Sequence, residues 1–456
     1  MLDLLITEGR YPDFKKGSLV QHNVGIKDGL ITYLGDEYPE TKQVLDIKGS
    51  ILSPGFIDIH MHEDNFQEEG DQFIIGKHML EMGVTTALGG NCGVMYQSVK
   101  DFKEALHRMG GSIINYMLLS GYNYYRSDGL SSYQEKVTPE ALEQAKKSIV
   151  EDLREGASGI SFGIEYDPSI TFDEILEVSQ LAENPDYLVS AHYREDGSKA
   201  IEAIEEMIEI AKNIPSKFQI AHLSSCSAMG KMREALHLIH QAMEENPKLN
   251  YDTYPYNAFS TTIGSAVFEE GCFEDWGKDY SDILLTDEPY RNQRCDEALF
   301  RKARAEHPEM LAVAFVMNED EIEMAVADKQ GMIASDGIIR SGHGHPRAAG
   351  TFPRVLGKYV RESGSLDMLT ALRKMTFEPA KRLNLKNRGE IIEGYVADLV
   401  VFNPDTISDT ADFSELTKPQ GISHVLIRGQ LALEDNNVLH EKLGTFIPFQ
   451  SQRSSS

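Results

Sequence analysis

Eight short runs rich in apolar and β-branched residues recur along the middle of the chain, and helical stretches separate most of them. The runs are Ile51–Met61, Val84–Gly90, Ile114–Gly121, Gly159–Tyr166, Tyr187–Tyr193, Phe218–Ser225, Leu249–Tyr256 and Gly331–Asp336. Most intervals are about 30 residues, the length of one strand–helix unit on a parallel sheet. Apolar residues three and four apart predict helices at Pro139–Glu155, Ile175–Ala182 and Ala200–Asn213. The alternation predicts an α/β fold with a (β/α)8 TIM-like barrel.

The two ends of the chain have a different texture. Residues 1–52 and 386–449 contain short β-rich segments with turns, which predicts one small β-sandwich domain built from both termini. The barrel would then occupy residues 53–385. The interval before the eighth run is too long for one helix, so we expect an insert near residues 258–315, between strands 7 and 8. The polar tail, residues 450–456, is predicted to be disordered.

Composition argues against several classes of partner. The 456 residues include 44 Lys and Arg against 72 Asp and Glu, a formal net charge of −28. Like charge repels nucleic acids and anionic membranes, so we expect neither as a partner. No window approaches about 18 apolar residues, and no signal peptide is recognised. With only four cysteines, we expect a cytoplasmic protein that acts on a small molecule, and a homo-oligomer is compatible with this.

Side chains that commonly bind metals follow the ends of the runs. His60 and His62 stand at i and i+2, a spacing that on a strand points both imidazoles to one side. Taken singly, each such residue is more often a core or turn residue. In a (β/α)8 barrel, however, the carboxyl ends of all strands meet on one face, so together they predict a metal site. The remaining candidates at run ends are Cys92, Glu165, His192, His222 and Asp336.

This mixture of donors favours zinc, which accepts nitrogen, sulfur and oxygen ligands. A catalytic zinc typically has three protein ligands, and the candidate set is larger. Either two metals share the site, or one binds tightly and the other weakly. A zinc-bound water has a pKa of about 7, and Asp336 could accept its proton and return it to a departing nitrogen. These are the parts needed to hydrolyse an amide or a related C–N bond.

Several motifs carry a resemblance to a known family over nearly the whole chain. They are PGFIDIHMHED, GGNCG, GISFGIEYDPS, AHYRED, QIAHLSS, DTYPYNA, and SDG followed by HPRAAGTFPRVLGKYVRE. The sequence resembles the amidohydrolase superfamily and, within it, the N-acyl-D-amino-acid deacylase (D-aminoacylase) family. The closing stretch TFEPAKRLNLKNRGEIIEGYVADLVVFNP identifies only the superfamily. The resemblance implies a zinc-dependent hydrolase that cleaves the amide bond of N-acyl-D-amino acids or D-dipeptide-like substrates.

The resemblance also implies a metal ligand at each matching position. The tighter zinc would lie on Cys92, His192 and His222. A second, weaker metal would lie on His60 and His62, with Cys92 as a bridge between the two.

The resemblance further implies residues that act on the substrate. Asp336 would be the general acid/base, and Arg347 would pair with the substrate carboxylate through a bidentate fork. Tyr254 or Tyr256 would donate to that carboxylate or to the developing oxyanion. Glu165 has two interpretations, as a bridging anion between metals or as a residue outside the ligand shell.

Two positions depart from the family pattern, and both belong to the expected substrate-binding set. Many members have a lysine two residues after the strand-six histidine, where this chain has Ser224. The usual Gly-His after strand three is replaced by Gly121 and Tyr122. Tyr166, beside Glu165, is a further substrate-binding candidate. The chemistry is therefore better supported than the identity of the substrate.

Three interpretations stay open. The first is the deacylase, and the second keeps the site but opens a cyclic amide or ureide, or deaminates a nucleobase. Arg347 favours the first, since a nucleobase has no carboxylate to bind. The third is a barrel scaffold without enzymatic activity, which the retained set of ligands disfavours.

Overall fold

Parallel strands form the centre of this mixed α/β protein, whose computed structural model describes residues 1–127, 135–340 and 342–451. One parallel sheet has the order Asn115–Leu118, Val84–Gly89, Phe56–Asp58. A second has the order Ser120–Gly121, Gly159–Gly163, Leu188–His192, Lys217–Ile220, Leu249–Thr253, Met332–Ile333. Nearly every residue of these strands is buried, as expected for parallel strands covered on both faces.

Backbone hydrogen bonds link the two parallel sheets at both ends. Leu119, the residue between the sheets, donates to Gly89 O at 2.9 Å. At the other side, Asp336 N donates to His60 O at 2.8 Å, and His62 N donates to Gly337 O at 2.9 Å. The turn after the last parallel strand is thus bonded to the turn after the first.

Three mainly antiparallel sheets involve the ends of the chain and the interval before the last parallel strand. The first has the order Leu30–Gly35, Asn23–Lys27, Leu2–Thr7, Thr41–Asp46, with its last pair parallel. The second has the order Asn437–Val438, Gln430–Glu434, Ile422–Ile427, Leu399–Phe402, Ile51–Pro54. The third, within residues 258–315, has the order Phe259–Thr262, Leu311–Ala314, Ile283–Leu285, Gln293–Arg294. Short pairs complete the strands: Tyr11–Asp13 with Ser18–Val20, and Ile339–Arg340 with His343–Gly344.

Most helices lie between consecutive strands of the parallel sheets, and several contact the strand that comes next in the chain. The α-helices are Ile75–Glu81, Val99–Met109, Tyr122–Arg126, Pro139–Glu155, Phe172–Ser179, Ala200–Asn213, Leu223–Ser227, Met232–Glu245, Cys272–Trp276, Glu297–Glu306, Glu319–Ala327, Arg347–Arg354, Met368–Met375 and Phe377–Arg382. Short 3-10 helices are Gly197–Lys199, Ala266–Phe268 and Tyr280–Asp282, and Val355–Glu362 is a π-helix. No helix in the described part of the chain is long and apolar enough to cross a bilayer.

Two of the three predicted helices have the predicted bounds. The third, expected at Ile175–Ala182, instead spans Phe172–Ser179. The shift arises because Thr171 and Glu174 form a capping box that starts the helix three residues earlier.

The predicted strands are longer than the observed ones. The first run changes sheet at Gly55: Ile51–Pro54 pairs with the C-terminal strand Leu399–Phe402, and only Phe56–Asp58 joins the parallel sheet. Other runs lose residues at their carboxyl ends, where apolar sequence continues into turns. The tail expected to be disordered lies outside the described residues from residue 452 onward.

A buried glycine controls the pairing of two central strands. Gly159 has φ +150°, and a Cβ there would lie 1.8 Å from Leu188 O on the neighbouring strand. We expect Gly159→Ala to lower the free energy of unfolding by about 1–3 kcal/mol more than Gly230→Ala. Gly230 is a matched control because it has φ +95° and open space around it. Chemical denaturation measures both losses, and equal losses would contradict the close approach.

Candidate metal centre and active site

Six side chains of the metal-binding type converge just beyond the ends of the parallel strands. Their potential ligand atoms form two buried groups, and the atoms within each group lie within 4.8 Å of one another. Cys92 belongs to both groups, so they form one continuous cluster. The first group is His60, His62, Cys92 and Asp336, and the second is Cys92, His192 and His222.

The short distances in the cluster are between atoms that can bind a cation. Cys92 Sγ lies 3.3 Å from His60 Nε2 and 3.4 Å from His222 Nε2. His192 Nδ1 lies 3.0 Å from His222 Nε2. Asp336 Oδ1 lies 3.4 Å from Nε2 of both His60 and His62. Imidazole, thiolate and carboxylate donors facing one point fit zinc chemistry.

The backbone turns sharply at three of these residues. Cys92, His222 and Asp336 have φ of 54°, 32° and 49°, in the left-handed region that non-glycine residues avoid. Such conformations cost about 1–3 kcal/mol each and persist where the surrounding structure fixes them. Gly93 shares the turn, and a Cβ there would lie 1.9 Å from Asn123 Oδ1. This requirement explains the glycines of the GGNCG motif.

Burial and neighbouring charges set the protonation of the cluster. Burial raises the pKa of Cys92, but the nearby His60 and His222 hold it well below its usual value, which favours the thiolate that binds metals. Burial also raises the pKa of Asp336, and Arg347 with the histidines outweighs this and holds that pKa well below its usual value.

Glu165 lies at the edge of the cluster rather than between the two groups. Its Oε2 contacts His192 Nε2 at 2.6 Å. Burial raises the pKa of Glu165 to about 8. Because His192 faces Glu165 with one nitrogen and His222 with the other, the Glu165 carboxyl group is placed to orient the His192 ring.

Arg347 pairs with one oxygen of Asp336 and also contacts Ser260 and Tyr254. Arg347 Nη1 pairs with Asp336 Oδ2 at 2.9 Å, and Nη2 donates to Ser260 O at 3.2 Å. The guanidinium lies over the Tyr254 ring at 4.7 Å. Arg347 Nε, Ser260 Oγ and the Tyr254 hydroxyl are buried and have no hydrogen-bond partner among the described residues.

A cavity of about 390 Å³ opens beside this group. Its lining includes His62, Tyr166, Ser260, Asp336 and Arg347, together with small polar residues and two apolar residues, Pro308 and Leu311, from residues 258–315. The Tyr166 ring also packs on His192, with centroids 4.4 Å apart. The cavity gives a small molecule access to the cluster.

Three predicted substrate-binding residues lie elsewhere. Tyr122 is buried and its hydroxyl donates to Glu174. The Tyr256 hydroxyl donates to Asp409 Oδ2 at 3.2 Å, away from the cluster. Ser224 is buried in the helix Leu223–Ser227 and does not line the described cavities. These three therefore make no contact with the cavity beside Asp336.

Sequence reasoning missed two residues that contact the histidines. Asp252 Oδ1 accepts from His222 N at 2.8 Å and lies 3.3 Å from His60 Nδ1. Ser225 Oγ lies 2.8 Å from His222 Nδ1 and accepts from the Tyr193 hydroxyl. Asp252 is the acid of the DTYPYNA motif, so its position at a strand end was the available signal.

Comparison with known proteins gives a consistent result. The model of the Amidohydrolase family matches residues 51–432. The D-aminoacylase of Alcaligenes xylosoxydans xylosoxydans is 29% identical over 94% of this chain and 93% of its own length.

Two solved structures are similar over nearly their whole length. A D-aminoacylase described with a binuclear metal centre has a TM-score of 0.88 at 27% identity, covering 98% of this chain and 99% of its own. The N-acyl-D-glutamate deacylase of Bordetella bronchiseptica, solved with zinc and a phosphonate inhibitor, has a TM-score of 0.87 at 26% identity with the same coverage. The protein therefore belongs to the amidohydrolase family and is an enzyme of that family.

Proposed function

We propose that the protein is a zinc-dependent hydrolase that cleaves the amide bond of N-acyl-D-amino acids. The observation that carries this proposal is the position of Arg347, which pairs through Nη1 with Asp336 at the edge of the cluster and whose buried Nε has no hydrogen-bond partner among the described residues. A guanidinium with a free donor suits a substrate carboxylate next to the bond to be cleaved. The similarity to deacylases along nearly the whole chain supports the same conclusion.

We infer that the parallel strands form a closed (β/α)8 barrel. The bonds between the turns at His60 and Asp336 support closure. We also infer that the terminal sheets form the β-sandwich, since Ile6, Val24, Leu399 and Leu426 share one buried apolar cluster. The antiparallel sheet within residues 258–315 would be the insert, and its residues line the cavity over the cluster.

Cys92, His192 and His222 would hold the tighter zinc, and His60 and His62 a second ion. When bound, zinc would act as a Lewis acid that polarises a carbonyl and lowers the pKa of a bound water towards neutrality. The protein contributes the geometry, because the turns at Cys92 and His222 fix both side chains before any ion binds. Glu165 would act outside the ligand shell by orienting His192.

Asp336 would move the proton. Arg347 holds one carboxylate oxygen, which leaves Oδ1 facing His60 and His62, where the scissile amide would lie. Its lowered pKa keeps Asp336 ionised at neutral pH, ready to accept a proton from the attacking water. Once protonated, the same carboxyl is acidic enough to give that proton to the leaving nitrogen.

The substrate carboxylate would accept from Arg347 Nε and from Ser260 or Tyr254, whose hydroxyls are also unpartnered. Ser224 replaces the lysine found in many deacylases, so Arg347 would be the main cation for this carboxylate. The 390 Å³ cavity leaves room for a sizeable acyl group or side chain.

The first test is the choice of substrate. We expect purified enzyme with zinc to hydrolyse N-acetyl-D-amino acids at least about 100-fold faster than their L-enantiomers, because the wrong hand misplaces the amide. Removal of zinc with a chelator should abolish turnover, and added zinc should restore it. Activity on hydantoins or adenine alone would overturn the proposal in favour of a ring-opening enzyme or a deaminase.

The second test removes the proton carrier. Asp336→Asn should lower kcat by about 10²–10⁴-fold, because the amide cannot accept a proton. The tighter zinc should stay bound, since Cys92, His192 and His222 are unchanged, and metal analysis checks this. A variant with near-normal turnover would exclude Asp336 from this role.

The third test separates two roles of Arg347: binding of the substrate carboxylate and the ion pair with Asp336. Arg347→Met should lower kcat/KM at least about tenfold more for an N-acetyl-D-amino acid than for its C-terminal amide, because only the acid loses a charged hydrogen bond. Equal losses would show that Arg347 does not bind the carboxylate. The acidic limb of the pH profile should move to higher pH for both substrates. The reason is that Arg347 favours the ionised carboxylate, and without it the pKa of Asp336 rises.

A further inference from the structure

Asp252 contacts one histidine from each of the two groups of candidate metal ligands, but it belongs to neither group. It is the penultimate residue of the strand Leu249–Thr253 and is only 1% exposed. Its Oδ1 accepts the backbone N–H of His222 at 2.8 Å. The same oxygen lies 3.3 Å from His60 Nδ1, a buried nitrogen with no hydrogen bond of ordinary geometry within the described chain. One carboxylate oxygen thus faces a histidine from each group.

The other oxygen of Asp252 accepts a hydrogen bond from a second buried side chain. Gln219 Nε2 donates to Asp252 Oδ2 at 2.9 Å. Gln219 Oε1 in turn accepts from Arg382 Nε at 3.1 Å, and Lys217 Nζ donates to Arg382 O at 2.7 Å. Arg382 ends the helix Phe377–Arg382. A buried chain of hydrogen bonds therefore runs from this helix, through Gln219, to the carboxylate beneath the histidines.

We propose that Asp252 is a positioning residue whose negative charge fixes both metal subsites. Beside His60 Nδ1, the charge favours the tautomer with a proton on Nδ1, which leaves the Nε2 lone pair towards Cys92 and Asp336. At His222, the same oxygen satisfies the backbone N–H in a left-handed conformation with φ 32°. Asp252 does not line the cavity beside Asp336.

This inference rests on the proposed zinc site and adds a residue that acts on the affinity of that site. Loss of a carboxylate behind a metal-binding histidine typically weakens metal affinity 10–100-fold. A merely structural residue would instead lower the stability of the protein and leave zinc affinity unchanged. The two cases can be separated because Gln219 lies directly against Asp252.

The test uses a single variant, a charge swap and a control. Asp252→Asn removes the charge and turns an amide N–H towards the Gln219 N–H. The double variant, Asp252→Asn with Gln219→Glu, restores the hydrogen bond between positions 252 and 219 and the link to Arg382. It moves the negative charge from position 252 to position 219, one residue farther from the histidines. Asp398→Asn is a matched control, since Asp398 is 5% exposed and accepts from Asn115, Arg388 and Arg428 outside the cluster. Zinc dissociation constants come from competition with a chromophoric chelator, and Tm values from the zinc-free proteins.

We expect Asp252→Asn to weaken zinc binding about 10–100-fold. The charge swap should recover the Tm of the zinc-free protein while its zinc binding stays weak. This double variant can still be measured if Asp252→Asn alone fails to fold. Asp398→Asn should lower Tm without a change in zinc affinity. Wild-type zinc affinity in Asp252→Asn, or recovery of zinc affinity by the swap, would overturn the inference. Absence of zinc binding by the unaltered protein would instead refute the proposed function.

Discussion

Desolvation of the buried cluster is the constraint on which the site depends. Thiol, imidazole and carboxylate groups lie within a few ångströms of one another and out of water, and isolated buried charges are strongly unfavourable. The structure offsets this cost with ion pairs and fixed dipoles. Arg347 pairs with Asp336, His60 and His222 face Cys92, and the backbone N–H of His222 donates to Asp252. A metal cation at the centre would supply the positive charge that so many anionic donors favour.

The sequence allowed the positions of the candidate metal ligands to be predicted because they depend on one simple rule. Parallel strands end on the same edge, so donors at successive strand ends must meet there. His60, Cys92, His192, His222 and Asp336 all meet as expected. The bounds of the strands were less predictable, since the same apolar residues continue into turns. At His222 and Asp336, a left-handed residue ends the extended backbone, and no periodic pattern encodes that event.

Residues that act on other side chains were harder to predict than the ligands themselves. Tyr122 and Tyr256 resemble substrate-binding residues in the sequence, yet each hydroxyl is held by a carboxylate distant in the chain, Glu174 and Asp409. Asp252 and Ser225 contact the histidines through hydrogen bonds that depend on side-chain rotamers. Spacing along the chain carries little information about such contacts, because the partners come from different strands and turns.

The pairing of Ile51–Pro54 with Leu399–Phe402 has a consequence for synthesis on the ribosome. The strand that leads directly into His60 cannot complete its sheet until almost the whole chain has been made. Contacts between residues so far apart in the chain slow folding, and unpaired strand edges promote aggregation in the meantime. The strand Ile51–Pro54 therefore stays without this partner until Leu399–Phe402 has been made, so the closing of this sheet is a late step that chaperones are suited to protect.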